Sequence, residues 1–419
     1  TLNNLSSVPL QFSPDGKILY VNARRGNDRS AVYEYSIDAG KWNGPVVQHP
    51  ERDIDARFII DVADRKLLGL QYADETPKAV WFDKEWATVQ KSIDAALPGT
   101  TNFLQHHGDR WIVTAMSDTN PGDVYLLERS TMKMAKLFSY EPWIDPAAMA
   151  PTRWVHYPSR DGLSIPALLT VPKGSGDKPV PLIVDIHGGP YVEASGGMYN
   201  AEVQFFASRG YAVLRPQYRG TRGLGSKFAT AGYRKWGDEM QDDLEDGVKW
   251  AAAQGVADPA RVCFFGESYG GYAALWETIR NPGLIKCAVS YAGVTSIAYM
   301  FDNAQTDLAL LAEKSSEMAV EIGDPATERA RFKRVSPLEH ADQVGVPIFL
   351  AYGLSDRRVP SVHGSEFKSA LDKFGKTYEL ATYSGEAHGL SLDANVFDFY
   401  NQVDRFLSKY LHAPAAPGS

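Results

Sequence analysis

The chain has 419 residues, with 43 Lys and Arg against 51 Asp and Glu, which gives a formal net charge of −8. This acidic balance argues against a nucleic-acid-binding protein. The absence of any stretch of about 18 apolar residues argues against a membrane partner or span. At about 150 residues per domain the length predicts two or three domains, although α/β domains of about 250 residues are common.

The chain begins at Thr1, and no basic and then apolar leader follows, so we expect either a processed protein or a piece of a longer one. Its two cysteines, Cys263 and Cys287, lie in apolar runs. We expect both to be buried free thiols rather than parts of a disulfide framework. So few cysteines leave the compartment undecided between cytoplasmic, periplasmic and secreted.

Residues 1–150 contain a weak repeat with a period of roughly 45 to 50 residues, which is the blade length of β-propellers. Three units join short apolar strands through turn residues, and they run over residues 12–36, 56–82 and 103–128. A propeller needs roughly four to eight blades to close. The three units therefore predict either part of a larger propeller or an open β-layer, with a β-sandwich without repeats as the alternative.

From residue 151 to about 412, strand-like runs alternate with helix-like runs, which predicts an α/β fold with a mostly parallel sheet covered on both faces. We expect strands at 182–187, 211–215, 261–265, 286–291, 347–352 and 377–383, and helices at 201–208, 238–254, 269–280, 362–374 and 395–411. Such sheets carry their sites at the carboxyl ends of strands. Residues 413–419 are predicted to be a flexible tail.

A candidate nucleophile lies in Gly266-Glu267-Ser268-Tyr269-Gly270-Gly271, between a predicted strand and a predicted helix. In that context a G-x-S-x-G match indicates a catalytic nucleophile, because the serine then lies on a tight turn that exposes its hydroxyl. Side chains two residues before and after the serine would collide with neighbouring backbone, so both positions require Gly. The first N–H groups of the helix favour a developing oxyanion.

A serine hydroxyl needs a base within hydrogen-bond reach, and the base needs an acid that orients it. His388 follows the strand predicted at 377–383 and is the candidate general base, whereas His340, His363 and His412 are not placed at the end of a strand. Asp356 follows the strand before and is the candidate acid. The order Ser268, Asp356, His388 is the chain order of α/β-hydrolases. Glu386 is the second candidate acid, but it is close to His388 in sequence.

The run His187-Gly188-Gly189-Pro190 follows the strand predicted at 182–187. Because Pro190 has no N–H, Gly188 or Gly189 is expected to donate to the oxyanion together with the N–H of Tyr269. His187 is expected to be a supporting hydrogen-bonding residue and not a catalytic one.

These motifs, together with residues 353–360 (GLSDRRVP), 385–389 (GEAHG), 336–338 and 218–225, resemble the prolyl oligopeptidase family of serine peptidases. The resemblance covers residues 151–411 and is closest to the acylaminoacyl-peptidase and dipeptidyl-peptidase-like branches. It implies a propeller over the active site, short peptide substrates and no metal or cofactor. It also implies that Arg358 binds a substrate carbonyl and that Ile297, Tyr299 and Met300 line an apolar substrate pocket.

The sequence departs from the family in three respects. His187 occupies a position where prolyl oligopeptidase and the dipeptidyl peptidases carry Tyr, which favours an oxyanion hole made of backbone alone. The paired glutamates that hold a free peptide N-terminus in dipeptidyl peptidases are not identified, and the blades are too few for a full propeller.

Three functions are compatible with these residues. The first is a peptidase acting through an acyl-enzyme on peptide bonds or on isopeptide bonds, the latter because one branch of the family opens lasso-shaped peptides. The second is a carboxylesterase using the same triad, although esterases of the His-Gly-Gly-Gly type have Gly where Pro190 stands. The third is a binding protein that kept the fold. The sequence does not predict the oligomeric state.

Overall fold

The computed structural model describes residues 7–61, 64, 66–176, 178–194, 196–302, 306–307 and 312–411. The predicted tail at 413–419 and His412 therefore lie outside the described residues. The chain divides into two compact units. One contains residues 1–152, 193–204 and 222–227, and the other contains 153–192, 205–221 and 228–419.

The first unit contains three antiparallel sheets, one for each predicted repeat. The strands are β1 (Ser7–Phe12), β2 (Ile18–Ala23), β3 (Ala31–Ser36) and β4 (Lys41–Val47) in the first sheet, β5 (Ala56–Asp61), β6 (Lys66–Tyr72) and β7 (Lys78–Trp81) in the second, and β8 (Thr101–His107), β9 (Arg110–Met116), β10 (Asp123–Glu128) and β11 (Lys133–Ser139) in the third. Consecutive strands pair within each sheet, which confirms the prediction of blade-like units.

A helix not predicted from the repeat, α1 (Lys84–Ala96), follows the second sheet. It begins after Asp83, whose carboxylate accepts hydrogen bonds from the N–H groups of Glu85 at 2.8 Å and Trp86 at 3.1 Å. These bonds satisfy two donors that a helix start leaves free. The buried face of α1 carries Trp86 and packs with Trp111 of β9, at 4.3 Å between ring centroids, so α1 shares a core with the third sheet.

Two later segments return to the first unit through backbone hydrogen bonds. The N–H of Gly197 donates to Glu75, and that of Tyr199 donates to Ser117, both at 2.8 Å. In the same way, Asp53 donates to the carbonyl of Gly223 at 2.8 Å. Neither segment is a regular strand in the sequence pattern, so chain order alone does not reveal their place.

The second unit is built on one sheet of eight strands in the order β12-β13-β15-β14-β16-β17-β18-β19. The strands are β12 (Thr152–Pro158), β13 (Ser164–Thr170), β14 (Val180–Ile186), β15 (Ala212–Pro216), β16 (Ala257–Glu267), β17 (Cys287–Tyr291), β18 (Ile348–Gly353) and β19 (Tyr378–Tyr383). The pairs from β15 through β19 are parallel, whereas β13 runs antiparallel to β15. This arrangement is the α/β-hydrolase sheet that the sequence predicts.

Helices connect the strands of this sheet, and a 3-10 helix spans Pro337–Gln343. The α-helices are α2 (Ala201–Ser208), α3 (Ser226–Ala231), α4 (Glu239–Ala253), α5 (Tyr269–Arg280), α6 (Tyr299–Asp302), α7 (Ala312–Glu321), α8 (Arg329–Arg334), α9 (Val362–Lys373) and α10 (Asp393–Leu411). None of the helices in the described part of the chain has the length and apolarity needed to cross a membrane.

The prediction of two free thiols was wrong. Cys263 of β16 and Cys287 of β17 are joined in a disulfide, with their Cα atoms 4.9 Å apart. They are direct partners in the register of these two parallel strands, and both are buried. The sequence places both in buried strands but does not reveal which strands are neighbours or their register, and these two facts bring the sulfur atoms together.

Candidate active site

Ser268 lies on the sharp turn between β16 and α5, with φ 59° and ψ −117°. A positive φ at a residue other than Gly is strained and is held only where the surroundings determine it. Here the N–H of Ser268 donates to the carbonyl oxygen of Tyr291 at the end of β17, at 2.9 Å. The neighbouring strand thus fixes the turn that presents the serine.

The two glycines around the serine are required by close backbone contacts, as predicted. A Cβ added at Gly266 would lie 2.8 Å from the Cα of Gly270, and one added at Gly270 would lie 2.8 Å from the carbonyl carbon of Ile186. Side-chain atoms do not fit at such distances. The start of α5 therefore sits directly against the end of β14, which brings the serine turn to the loop that follows Ile186.

His388 and Asp356 are hydrogen-bonded, with Nδ1 of the imidazole 2.7 Å from Oδ2 of the carboxylate. The other oxygen of Asp356 accepts the N–H groups of Arg358 at 2.7 Å and Val359 at 2.9 Å. The Asp356 side chain has no exposed surface, whereas that of His388 is 26 % exposed. Because a carboxylate only accepts, Nδ1 carries the proton and Nε2 is left as the basic nitrogen of the imidazole.

Tyr291 connects the serine turn to the histidine loop. Its carbonyl oxygen accepts the N–H of Ser268, and its hydroxyl accepts the N–H of Gly389, next to His388, at 3.2 Å. The pKa of Glu267, the residue before the serine, is raised by burial and by Asp356, whereas His388 lowers it. These contacts bring Ser268, Asp356 and His388 to one edge of the sheet.

The loop after β14 lies against the serine. A Cβ built on Gly188 would be 3.2 Å from the carbonyl oxygen of Glu267 and 3.4 Å from the Cβ of Ser268. Tyr269 has a buried side chain whose ring contacts those of Tyr218 and Trp236. The predicted N–H donors of Tyr269 and of the glycine loop thus belong to segments that meet at Ser268.

His187 supports this loop. Tyr218 donates its hydroxyl to the carbonyl oxygen of His187 at 2.7 Å, and the two rings stack with centroids 4.4 Å apart. Nε2 of His187 lies 3.1 Å from the hydroxyl of Thr221. Burial lowers the pKa of His187 to about 4, so the imidazole is neutral at neutral pH.

The residues predicted to bind substrate differ in their contacts and in their exposure to solvent. Arg358 forms a two-pronged ion pair with Asp307, at 2.7 and 2.9 Å. Ile297 has no exposed surface and Met300 is 6 % exposed, so the side chains of both are buried. Tyr299 is partly exposed, and its ring contacts that of His363.

Glu386, the second candidate acid, does not contact His388 through its carboxylate. That carboxylate accepts hydrogen bonds from Ser391, Leu392 and Asn395 instead. The sequence did not predict that the Glu386 carboxylate accepts hydrogen bonds from the residues that follow His388. It also did not predict that Tyr291 contacts both the serine turn and the histidine loop. The signal available for Tyr291 was its position at the end of a predicted strand. No cluster of three or more His, Cys, Asp or Glu that could hold a metal ion occurs within the described ranges.

The sheet and the residues at its carboxyl edge define an α/β-hydrolase. Residues 198–414 match the prolyl oligopeptidase family. This match covers half of the chain, and the chain therefore belongs to that family.

Three proteins illustrate the likeness. The chain is 30 % identical to dipeptidyl aminopeptidase BIII of Pseudoxanthomonas mexicana, over 99 % of this chain and 61 % of that protein. It is 25 % identical to the acylamino-acid-releasing enzyme of Sus scrofa, over 90 % of this chain and 51 % of that enzyme. A puromycin-hydrolyzing peptidase of Mycobacterium tuberculosis superposes with a TM-score of 0.78 at 21 % identity, over 97 % of this chain and 63 % of that one, which shows a common fold. The chain thus spans less than two thirds of the length of these proteins.

Proposed function

We propose that this chain is a serine peptidase that cleaves peptide or isopeptide bonds of short peptides through an acyl-enzyme. Ser268 is the nucleophile, His388 the general base and Asp356 the residue that orients it. The observation that carries the proposal is the 2.7 Å hydrogen bond between His388 and Asp356. The loop that carries His388 is connected to the backbone of Ser268 through Tyr291.

The reaction follows from the protonation states. With Nδ1 protonated and bonded to Asp356, Nε2 of His388 takes the proton of the Ser268 hydroxyl as the oxygen attacks the peptide carbonyl carbon. The imidazolium then gives that proton to the leaving amine, and the C–N bond breaks to leave an ester on Ser268. A water molecule, deprotonated by the same imidazole, hydrolyses the ester and restores the serine.

The oxyanion formed in each step is proposed to bind backbone N–H groups. Tyr269 is the first residue of α5, where N–H groups have no acceptor within the helix, and the helix start carries partial positive charge. The second donor is the N–H of Gly188 or Gly189. Removing one such donor lowers turnover by roughly 10²- to 10³-fold.

We propose that the three sheets in the first 150 residues are blades of a β-propeller, and that the catalytic domain covers residues 151–412. Two of the relatives are a dipeptidyl aminopeptidase and an acylamino-acid-releasing enzyme, which supports short peptides as substrates. Arg358 is proposed to bind a substrate carbonyl. To do so, its guanidinium must first release the carboxylate of Asp307.

A digest of a peptide library, read by mass spectrometry, tests this function. The intact chain should cut short peptides, and Ser268→Ala should lose at least ~10³-fold in turnover because the nucleophile is gone while the fold is kept. Hydrolysis of p-nitrophenyl esters with failure on every peptide would contradict the proposal and support a carboxylesterase. Equal digestion by the Ser268→Ala variant would contradict the assignment of the nucleophile.

A further inference from the structure

Glu386 has an unusual environment for a carboxylate. The residue has no exposed surface. One oxygen accepts the N–H and the hydroxyl of Ser391, at 2.9 and 2.8 Å. The other accepts the N–H of Leu392 at 2.9 Å and the side-chain amide of Asn395 at 2.8 Å. No Lys or Arg pairs with it among the described residues, so four neutral donors stabilise a buried charge.

These donors all lie on the chain just after the histidine, so the carboxylate closes the segment 386–395 around His388. The N–H groups of Asn395 and Val396 both donate to the carbonyl of Leu392, at 2.8 and 3.0 Å, which begins α10. Glu386 therefore ties the first residues of the loop to the start of a 19-residue helix. The loop is fixed at both of its ends by one side chain.

The backbone of Glu386 makes a further connection, to the turn that carries the orienting acid. Its carbonyl oxygen accepts the N–H of Ser355, next to Asp356, at 2.8 Å. A Cβ built on Gly353 would lie 2.9 Å from the carbonyl carbon of Glu386, so the two turns pack without space for a side chain. A shift of Glu386 would therefore change the distance between Asp356 and His388.

From these contacts we infer that Glu386 is a positioning residue: its buried carboxylate holds the His388 loop so that the imidazole keeps its hydrogen bond to Asp356. The inference rests on the proposed function for its consequence in catalysis, but its geometric part does not. The hydrogen bonds lower the pKa of Glu386 to about 2, first through Asn395 and then through Leu392 and Ser391, so the carboxylate stays charged at neutral pH.

Glu386→Gln is the sharpest test, because it keeps the shape and removes the charge and one acceptor oxygen. An amide has two N–H donors where the carboxylate has an oxygen, so one pair of donors would face other donors. We expect kcat to fall roughly 10- to 100-fold with KM within about twofold, since a displacement on the order of 1 Å in a catalytic group can cost about 100-fold. Glu379→Gln is the matched control, because Glu379 is an exposed carboxylate on β19 that pairs with Lys409.

A proton NMR measurement separates positioning from a merely structural role. The imidazole Nδ1–H of His388 bonded to a carboxylate gives a low-field resonance, which should be lost or broadened in Glu386→Gln and kept in Glu379→Gln. Asn395→Ala removes one of the four donors and should give a smaller loss of the same kind. If Glu386→Gln does not fold, the Asn395→Ala variant tests the positioning role in its place.

The outcomes are distinct. Unchanged kcat and an unchanged resonance in a folded Glu386→Gln protein, or in Asn395→Ala if the first variant is unfolded, would overturn the inference and leave the peptidase proposal intact. A resonance lost on substitution in a chain that shows no turnover and no fluorophosphonate labelling would support the positioning role and overturn the proposed function.

Discussion

Tyr291 contacts the serine turn and the histidine loop through different atoms, which makes its hydroxyl separable from its backbone. Tyr291→Phe leaves the carbonyl that accepts from Ser268 and removes only the acceptor of the Gly389 N–H. A lost neutral hydrogen bond of this kind is worth about 1 kcal/mol. We therefore expect kcat/KM to fall roughly fivefold, measured on the best peptide from the library digest.

Tyr383→Phe is a suitable control for that experiment. Its hydroxyl donates at 3.0 Å to Asp398 on α10, and not to the serine turn or to the backbone of the His388 loop. The explanation is refuted if both variants lose the same activity, or if Tyr291→Phe matches the unchanged chain.

Sequence patterns predicted the site residues to the extent that each follows a strand. The helix predicted at 269–280 has the bounds of α5, and Ser268, Asp356 and His388 each follow a predicted strand. Parallel strands deliver their carboxyl ends to one edge, so loops distant in the chain could be expected to meet. The hydrogen bonds of Tyr291 and Glu386 could not be predicted, because they depend on the path of loops without periodicity.

At the scale of elements, the strands β12 and β13 and the helix α1 were not predicted. The first two precede the alternation of strands and helices, and β13 runs antiparallel to β15, so they do not share the pattern that identified the rest. Helix α1 interrupts the repeat between the second and third sheets. Its apolar residues, Trp86, Val89 and Ile93, have helical spacing, which is the signal that was available.

The packing of α5 against α4 includes an acid with a raised pKa. Glu277 on α5 is fully buried and accepts from the Gln241 amide at 2.7 Å, while its second oxygen has no hydrogen-bond partner among the described residues. Burial, and then the like charge of Glu245, raises its pKa from 4.5 to about 8. Between these values the folded chain binds a proton that the unfolded chain does not.

The free energy of unfolding should therefore include a contribution from Glu277 that is present below about pH 4.5 and is lost as the pH rises to about 8. Glu277→Gln stays neutral and should remove this dependence, making the variant the more stable protein at pH 8.5. Urea unfolding at pH 5 and pH 8.5 measures this contribution to the free energy of unfolding, with Glu379→Gln as the exposed control. Parallel loss of stability in the variant and the unchanged chain over that interval would refute the argument.

At the scale of the whole molecule, acid should destabilise the fold through buried histidines. Burial lowers the pKa of both His187 and His363 from 6.5 to about 4. The unfolded chain then binds more protons between these values, so their contribution to stability is complete above about pH 6.5 and is lost as the pH falls to about 4. Glu386 adds a second loss from about 4.5 to about 2.

NMR titration of the imidazole C–H resonances checks this prediction. The signals of His187 and His363 should not move between pH 7 and 5. Titration of His187 or His363 near pH 6.5 would show that the imidazole is not buried as the structure has it.

The central claim is that Ser268 is activated by His388 within the second unit of the chain. Labelling with a fluorophosphonate, followed by digestion and mass spectrometry, tests it most directly, since the probe bonds only to a serine with an active base. The account predicts one adduct, on the peptide that contains Ser268, absent from Ser268→Ala and strongly slowed in His388→Ala. An adduct on another serine, or equal labelling of the His388→Ala variant, would contradict it.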